Sequence, residues 1–262
     1  MRALLVLTAL LLLSGDLLAN TRERLQEANF ATTRELAQNS LERKNQSVLT
    51  YLWADVYAAA FYAPAQASAR QAFTQPLNQR LELYYFRNID SQDVIKAAWV
   101  TLERQHDAKT LERLRPGLDA LHATFRDIRP SDRYALNFNT DSGLTLEVNG
   151  KPVFTSQDQE LAKAYLGIWL SPNGLSDSLR TSLLADLHTA SGERRSFTLA
   201  DGSRLSLNSG SAVDLDFDAN QRLLILRRGD LLIQVAADPR RPLRVRTAQG
   251  QVQALGTRFL VS

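Results

Sequence analysis

The sequence predicts an α+β domain followed by a small all-β domain, on three observations. Up to about residue 186, strand-like and helix-like segments follow the order strand, helix, helix, strand meander, helix, helix. Beyond His188 the helical period disappears, and short strand-like runs follow with turn signals every ~8 to 12 residues. At 262 residues and 44% hydrophobic side chains, the chain has enough apolar material for a core in each part.

The first element is not part of the fold. Residues 1–19, "MRALLVLTALLLLSGDLLA", place Arg2 before an apolar run from Ala3 to Leu13 and then Ser14-Gly15, the pattern of a secretory signal peptide with Ala19 before the cut. The run is shorter than the ~20 residues of a bilayer span, so an exported chain with no stable membrane span after signal removal is expected. No Cys follows the run, which excludes a lipid anchor on that residue.

Residues 20–186 form the expected first domain. Its polar opening, "TRERLQEANFATTRELAQNSLERKNQ", has only weak periodicity and its structure is left open. "SVLTYLWADVYAAAFYAP" is rich in β-branched and aromatic residues, which suits one long buried strand or two joined by a bend, ending at Pro64. "RLELYYFR" (80–87) is a second strand. From Ser91, Val94, Ile95, Ala98, Trp99 and Leu102 mark a helix stripe that Ser91 can cap. A further helical pattern through Leu111 and Leu114 is expected to break at Pro116-Gly117 and resume with Leu118, Leu121 and Phe125.

Strands then return as "RYALNFN", "LTLEV" and "PVFTS", turned at Thr140 to Gly143 and at Asn149-Gly150, a strong hairpin signal. Leu161, Ala164, Tyr165, Ile168 and Trp169 share one helix face, and "LSDSLRTSLLADL" supplies a last helix after Pro172-Asn173-Gly174. This order places helices on one face of an antiparallel sheet. Residues 187–262 read as seven short strands, from Arg194–Ala200 to Val252–Leu255, with a final strand-like "GTRFLVS".

Composition narrows function. The formal charge is +3, and the Arg residues are scattered with no dense basic block interleaved with aromatics, so no nucleic-acid partner is expected. The chain has no Cys, which removes disulfides, thiolate metal sites and Cys nucleophiles. His106, His122 and His188 lack metal-ligand spacing and read as surface or helix-flanking residues, so neither a metal nor a cofactor is expected. Asp214, Asp216 and Asp218 alternate along one strand and read as a solvated face, since the glycine turn of a calcium loop is missing. No nucleophile elbow or phosphate loop is present, and no catalytic residue is assigned.

The series "DVYAAAFYAP", "RLELYYFRNIDSQD", "LRPGLDALHATFRDIRPSDRYALNF", "LEVNGKPV" and "AKAYLGIWLSPNGLSDSLRTSLL" resembles the bacterial chalcone isomerase-like family of exported proteins, from about Phe30 to Leu184. The resemblance implies an open-faced β-sandwich, a curved antiparallel sheet and a helix layer enclosing an apolar cleft. Plant enzymes of that fold cyclise a chalcone with Arg, Thr, Tyr and Asn side chains, and other relatives hold fatty acids through an Arg and a Tyr. Here the strand before "VYAAAFY" offers Thr50 and Tyr51, and the nearest preceding Arg is Arg43.

The stretches "TASGERRSFTLADGSRLSLNSGSAVDLDF", "RLLILRRGDLLIQVAADPRRPLRVRT" and "VQALGTRFLVS" look like the periplasmic part of FecR-type anti-sigma regulators, over about residues 186–262. The segment covers only part of that family's strand series and is expected to be incomplete.

These readings converge on an exported, non-catalytic protein that binds an apolar, amphipathic or fatty small molecule and carries a FecR-like interaction module. Thr50, Tyr57, Tyr85, Arg87 and Tyr165 are the candidate ligand contacts: Tyr supplies apolar area and a hydroxyl, and Arg a carboxylate fork. The alternative is an envelope signalling protein acting through protein contacts; the third reading is a true chalcone–flavanone isomerase. For a protein partner, the terminal strand offers an edge at Thr257, Phe259 and Val261.

Overall fold

The computed structural model describes residues 21–190, 192–254 and 258–262. The segment expected to be a signal peptide and the expected edge residue Thr257 lie outside the described residues. The first domain is built on a seven-stranded antiparallel meander: β1 (Thr33–Leu36), β2 (Asn39–Tyr51), β3 (Ala54–Ala63), β4 (Gln79–Tyr85), β5 (Arg133–Asn139), β6 (Gly143–Val148) and β7 (Lys151–Ser156) lie side by side in chain order. The polar opening supplies helix α1 (Thr21–Ala28), then β1 and the first part of β2.

Period-two alternation decides what each face carries. Tyr57, Ala59 and Phe61 of β3, Leu81, Leu83 and Tyr85 of β4, and Tyr134, Leu136 and Phe138 of β5 enter one core. Against them pack α2 (Ala69–Thr74), α3 (Ser91–Gln105), α4 (Ala108–His122), α5 (Gln159–Leu170) and α6 (Asp177–Leu184). The opposite face is not bare: Ala28 and Phe30, at and just beyond the end of α1, pack against Tyr62 and Tyr84. There, Glu82 is fully buried and joined by Arg34 (2.8 Å), Arg80 (3.1 Å) and Arg133 (2.5 Å). These guanidiniums hold the Glu82 carboxyl below its ordinary value against a burial penalty that pushes the other way. Cover on both faces makes β4 buried along its whole length.

Two helix boundaries differ from expectation. Ser91 is the first residue of α3, not its cap; Asp90 holds the cap position, and Asp127 Oδ1 accepts from both the Ser91 amide and hydroxyl at 3.0 Å. Pro116-Gly117 does not break α4, which runs unbroken to His122, with Phe125 beyond its end. The buried stripe Leu111, Leu114, Leu118 and Leu121 carries the helix across the proline, because tertiary packing outweighs one missing hydrogen bond. Gly117 lies against α5: a Cβ there would stand 2.8 Å from Leu161 Cδ2.

The second domain is a sandwich of two small sheets. One holds β16 (Arg258–Val261), β13 (Leu231–Gln234), β10 (Arg204–Leu207) and β9 (Arg195–Thr198), in that order. The other holds β15 (Gln251–Gln253), β14 (Leu243–Arg246), β12 (Arg222–Arg228), β11 (Ala212–Phe217) and β8 (Leu187–His188), with β12 and β14 parallel. Leu205, Leu207, Val213, Leu224, Ile233 and Val245 are among the buried residues of its core. The buried Arg222 pins the loops at one end, reaching Asp201 Oδ2 (2.7 Å) and the carbonyls of Arg241 (2.6 Å) and Ala236 (3.0 Å).

The aspartate trio is not a solvated strand face. Asp218 lies beyond β11, Asp216 is exposed, and Asp214 is buried between Arg227 (2.7 Å) and Arg70 of α2 (3.0 Å). That last pair crosses between the domains. Arg228 also crosses, donating to the Ser178 carbonyl (3.2 Å) and to the hydroxyls of Ser178 and Ser182 on α6. His188 Nε2 lies 3.2 Å from the Gln46 carbonyl of β2, and Asp186, at the junction, accepts from the Leu215 amide at 2.8 Å.

Candidate functional site

The interior between the first domain's sheet and helices is aromatic. Tyr57 and Tyr85 meet edge to face at 5.3 Å, Tyr85 meets Tyr134 at 5.7 Å, and Tyr165 meets Trp169 at 6.1 Å. Strand alternation delivers the first three, and the α5 stripe delivers Tyr165 and Trp169 four residues apart. Trp169 Nε1 donates to the Tyr57 hydroxyl at 3.0 Å, a buried bond that ties α5 to β3.

What remains open between these groups is a cavity of about 20 Å³, bordered by Tyr85, Tyr134, Tyr165, Trp169, Phe125 and Val94 together with aliphatic side chains of the sheet. That is room for about one water, far below the ~300 Å³ or more of a small-molecule pocket. Burial pushes the phenols of Tyr57, Tyr85, Tyr134 and Tyr165 above their ordinary value. They therefore stay protonated at neutral pH, able to donate hydrogen bonds but not to act as bases.

Of the five candidate ligand contacts, Tyr85 and Tyr165 border the cavity and Tyr57 packs directly against Tyr85. Thr50 and Arg87 are not brought there. The β2–β3 register shifts between Leu49 and Thr50, so Thr50 is exposed and donates to Asp55 Oδ1 at 2.7 Å. Arg87 lies two residues past the end of β4, exposed, its Nε donating to the Asp55 carbonyl at 3.0 Å. Arg43 is engaged by the carbonyls of Phe30 and Ala31.

Two polar groups near the cavity were not among the candidate ligand contacts. Tyr134 is buried, its hydroxyl without a partner at ordinary hydrogen-bond geometry but under the influence of Arg126, and its alternation with Leu136 and Phe138 marks it as inward-facing. His122, expected at a surface or helix flank, is buried in the last turn of α4 among Trp99, Phe125 and Tyr165, with both ring nitrogens unpartnered. Burial lowers its pKa to about 4, only partly opposed by Asp119. Its position four residues after Leu118 and one after Leu121 was the available signal. Among the described residues no three His, Asp or Glu side chains group as metal ligands would.

The terminal strand forms the second candidate surface. β16 pairs with β13 on one side and ends the sheet on the other. Phe259 and Val261 turn inward against the second core, whereas Leu260 is 62% exposed and lies opposite Leu232. A partner strand would therefore meet the backbone edge and Leu260, not the two side chains expected from sequence.

Residues 22–185 match the family described as chalcone isomerase-like, and residues 185–262 match the FecR protein family. No curated protein matches the chain. Among solved structures, a protein assigned as an anti-sigma factor from Parabacteroides distasonis is 32% identical, with a TM-score of 0.28, over 29% of this chain and 36% of that one. A fatty-acid binding protein of Arabidopsis thaliana is 12% identical, with a TM-score of 0.44, over 59% of this chain and 90% of that one. The chain thus spans about a third of the length of the first of these structures.

Proposed function

The chain belongs to the chalcone isomerase-like family and continues into a FecR-family domain, and from that premise we propose that it is an exported regulatory protein that signals through protein contacts of the FecR-like domain. The observation that carries this reading is the contrast between the small space left among the interior tyrosines and an open edge. The cavity among the first domain's tyrosines holds about 20 Å³, while β16 ends its sheet with its outer side unpaired among the described residues. Such an edge takes an added strand through main-chain hydrogen bonds. In this reading the chalcone isomerase-like domain is a non-catalytic support, joined to its neighbour through Arg70, Arg228 and His188.

A photo-crosslinking side chain at Leu260, compared with one at Val153 on the edge strand β7, tests the reading in cells exporting the full chain. A discrete protein adduct at 260 and none at 153 is expected; equal labelling, or none at 260, overturns it.

A second reading, an apolar ligand held inside the first domain, is favoured by the unpartnered His122 nitrogens, since buried polar atoms ordinarily have partners. A ligand selective for the folded state raises the melting temperature. A clear rise with a fatty acid or a flavanone would put this reading first, and flavanone formation well above the uncatalysed rate would remove the non-catalytic assignment.

A further inference from the structure

We propose that the β2–β3 hairpin tip, Leu52-Trp53, is a membrane-surface contact, an apolar wedge flanked by Arg87 that docks the folded chain on an anionic bilayer interface. Tyr51 pairs with Ala54, so the turn has two residues, and both take positive φ, 42° at Leu52 and 63° at Trp53. Two-residue hairpins with this backbone favour Asn-Gly, because bulky L side chains crowd the carbonyl in the left-handed region. The same sheet uses that solution at β6–β7, where Asn149 (51°) and Gly150 (76°) make the turn.

At β2–β3 the sequence keeps two large apolar residues in the strained conformation, and the fold gives them nothing in return. Leu52 is 51% exposed and Trp53 63%. Neither local preference nor packing accounts for them, and backbone strain retained without internal compensation marks a place of function.

Two features select a bilayer as the occupant. Trp beside an aliphatic residue and an Arg is the residue set of the lipid headgroup region, where the indole ring is apolar and its N–H finds polar partners. Arg87 is exposed, anchored through its Nε to the Asp55 carbonyl at 3.0 Å, and takes part in no ion pair among the described residues. Its charge is free for a phosphate. Arg24 of α1 reaches Asp55 Oδ2 at 3.2 Å, two residues from Trp53, and stacks over Phe86 at 4.7 Å, so α1 packs beside the same end of the sheet.

The test uses residues 20–262, which hold every described helix, strand and core, with vesicles of phosphatidylethanolamine and phosphatidylglycerol or of phosphatidylcholine alone. The double variant Leu52→Asn, Trp53→Gly keeps the turn and removes the wedge. Its partition onto the anionic vesicles should fall by at least ~tenfold, since each buried side chain of this size supports about that factor. Its melting temperature should rise, because Asn-Gly relieves the turn, and this separates lost binding from lost folding. Arg87→Gln should weaken binding to the anionic vesicles alone. A parent protein that ignores both vesicle types, or a double variant that binds undiminished, overturns the proposal. So does concentration-dependent dimerisation without vesicles that the double variant abolishes, which would assign the tip to a second copy of the chain.

Discussion

At the residue scale, His122 bears a cost that changes with pH. Its neutral ring is held among Trp99, Phe125 and Tyr165 with a pKa of about 4, against 6.5 in an unfolded chain. The unfolded chain takes up a proton as pH falls through 6.5, while the folded one resists until about 4. Folding stability is therefore lost progressively across that window, by about 3 kcal/mol for this group. Replacing His122 with Phe should remove this dependence, seen as a flatter denaturation midpoint between pH 6.5 and 4; an unchanged slope would assign the acid sensitivity to other groups. The residues behind this site differ in how far the sequence shows them. Tyr57, Tyr85 and Tyr165 follow from strand alternation and a helix stripe, whereas Thr50 is turned away by the register shift beside Leu49. A bulge of this kind is set by strand pairing and leaves no periodic trace.

At the element scale, glycines separate turns that merely curve from turns that touch. Gly143 opens β6 with φ 82°, and a Cβ there would stand 2.2 Å from the Ser156 carbonyl oxygen and 2.8 Å from Gln157 Cα, both backbone. Gly150 has φ 76° and nothing within 4 Å of its Cβ position. Gly143→Ala should cost about 3 kcal/mol or more, combining left-handed strain with displacement of β7, and Gly150→Ala about 1 kcal/mol. Urea denaturation of the two variants side by side checks the ordering; equal losses would mean that the β6–β7 pairing yields freely. The Asn149-Gly150 turn could be read directly from sequence, because its chemistry is local. At Leu52-Trp53 the sequence allowed two strands joined by a bend but did not place it, because this turn goes against local preference, and α4 ran through Pro116 because its buried leucines lie on either side. The β16 edge was legible as a strand, but which of its side chains face inward depends on its pairing with β13, which places Phe259 opposite Ile233 and Leu260 opposite Leu232.

At the scale of the whole molecule, the sequence shows two domains through the change of period near His188, yet it contains no local sign of how they join. The junction is made of residues that look like surface charges in sequence: Arg70 on α2, Asp214 on β11 and Arg228 on β12. Asp214 is buried with one oxygen unpartnered, and burial lowers the pKa of Arg228. Both groups make their contacts in a partly dehydrated junction, where removing one partner leaves the other buried and uncompensated. Each hydrogen bond to a charged group is worth about 1.5–3 kcal/mol, comparable to the margin that holds a small β domain. Together these contacts should make the two domains melt as one unit. Replacing Arg70 and Arg228 by Ala together removes the Asp214 crossing pair and the bonds to Ser178 and Ser182, leaving the apolar cores of both domains untouched. Calorimetry of residues 20–262 should then resolve two transitions where the parent shows one, the FecR-like domain melting first because its core is the smaller. A single transition displaced to lower temperature would show instead that contacts such as that of the His188 ring with the Gln46 carbonyl couple the domains without the charges.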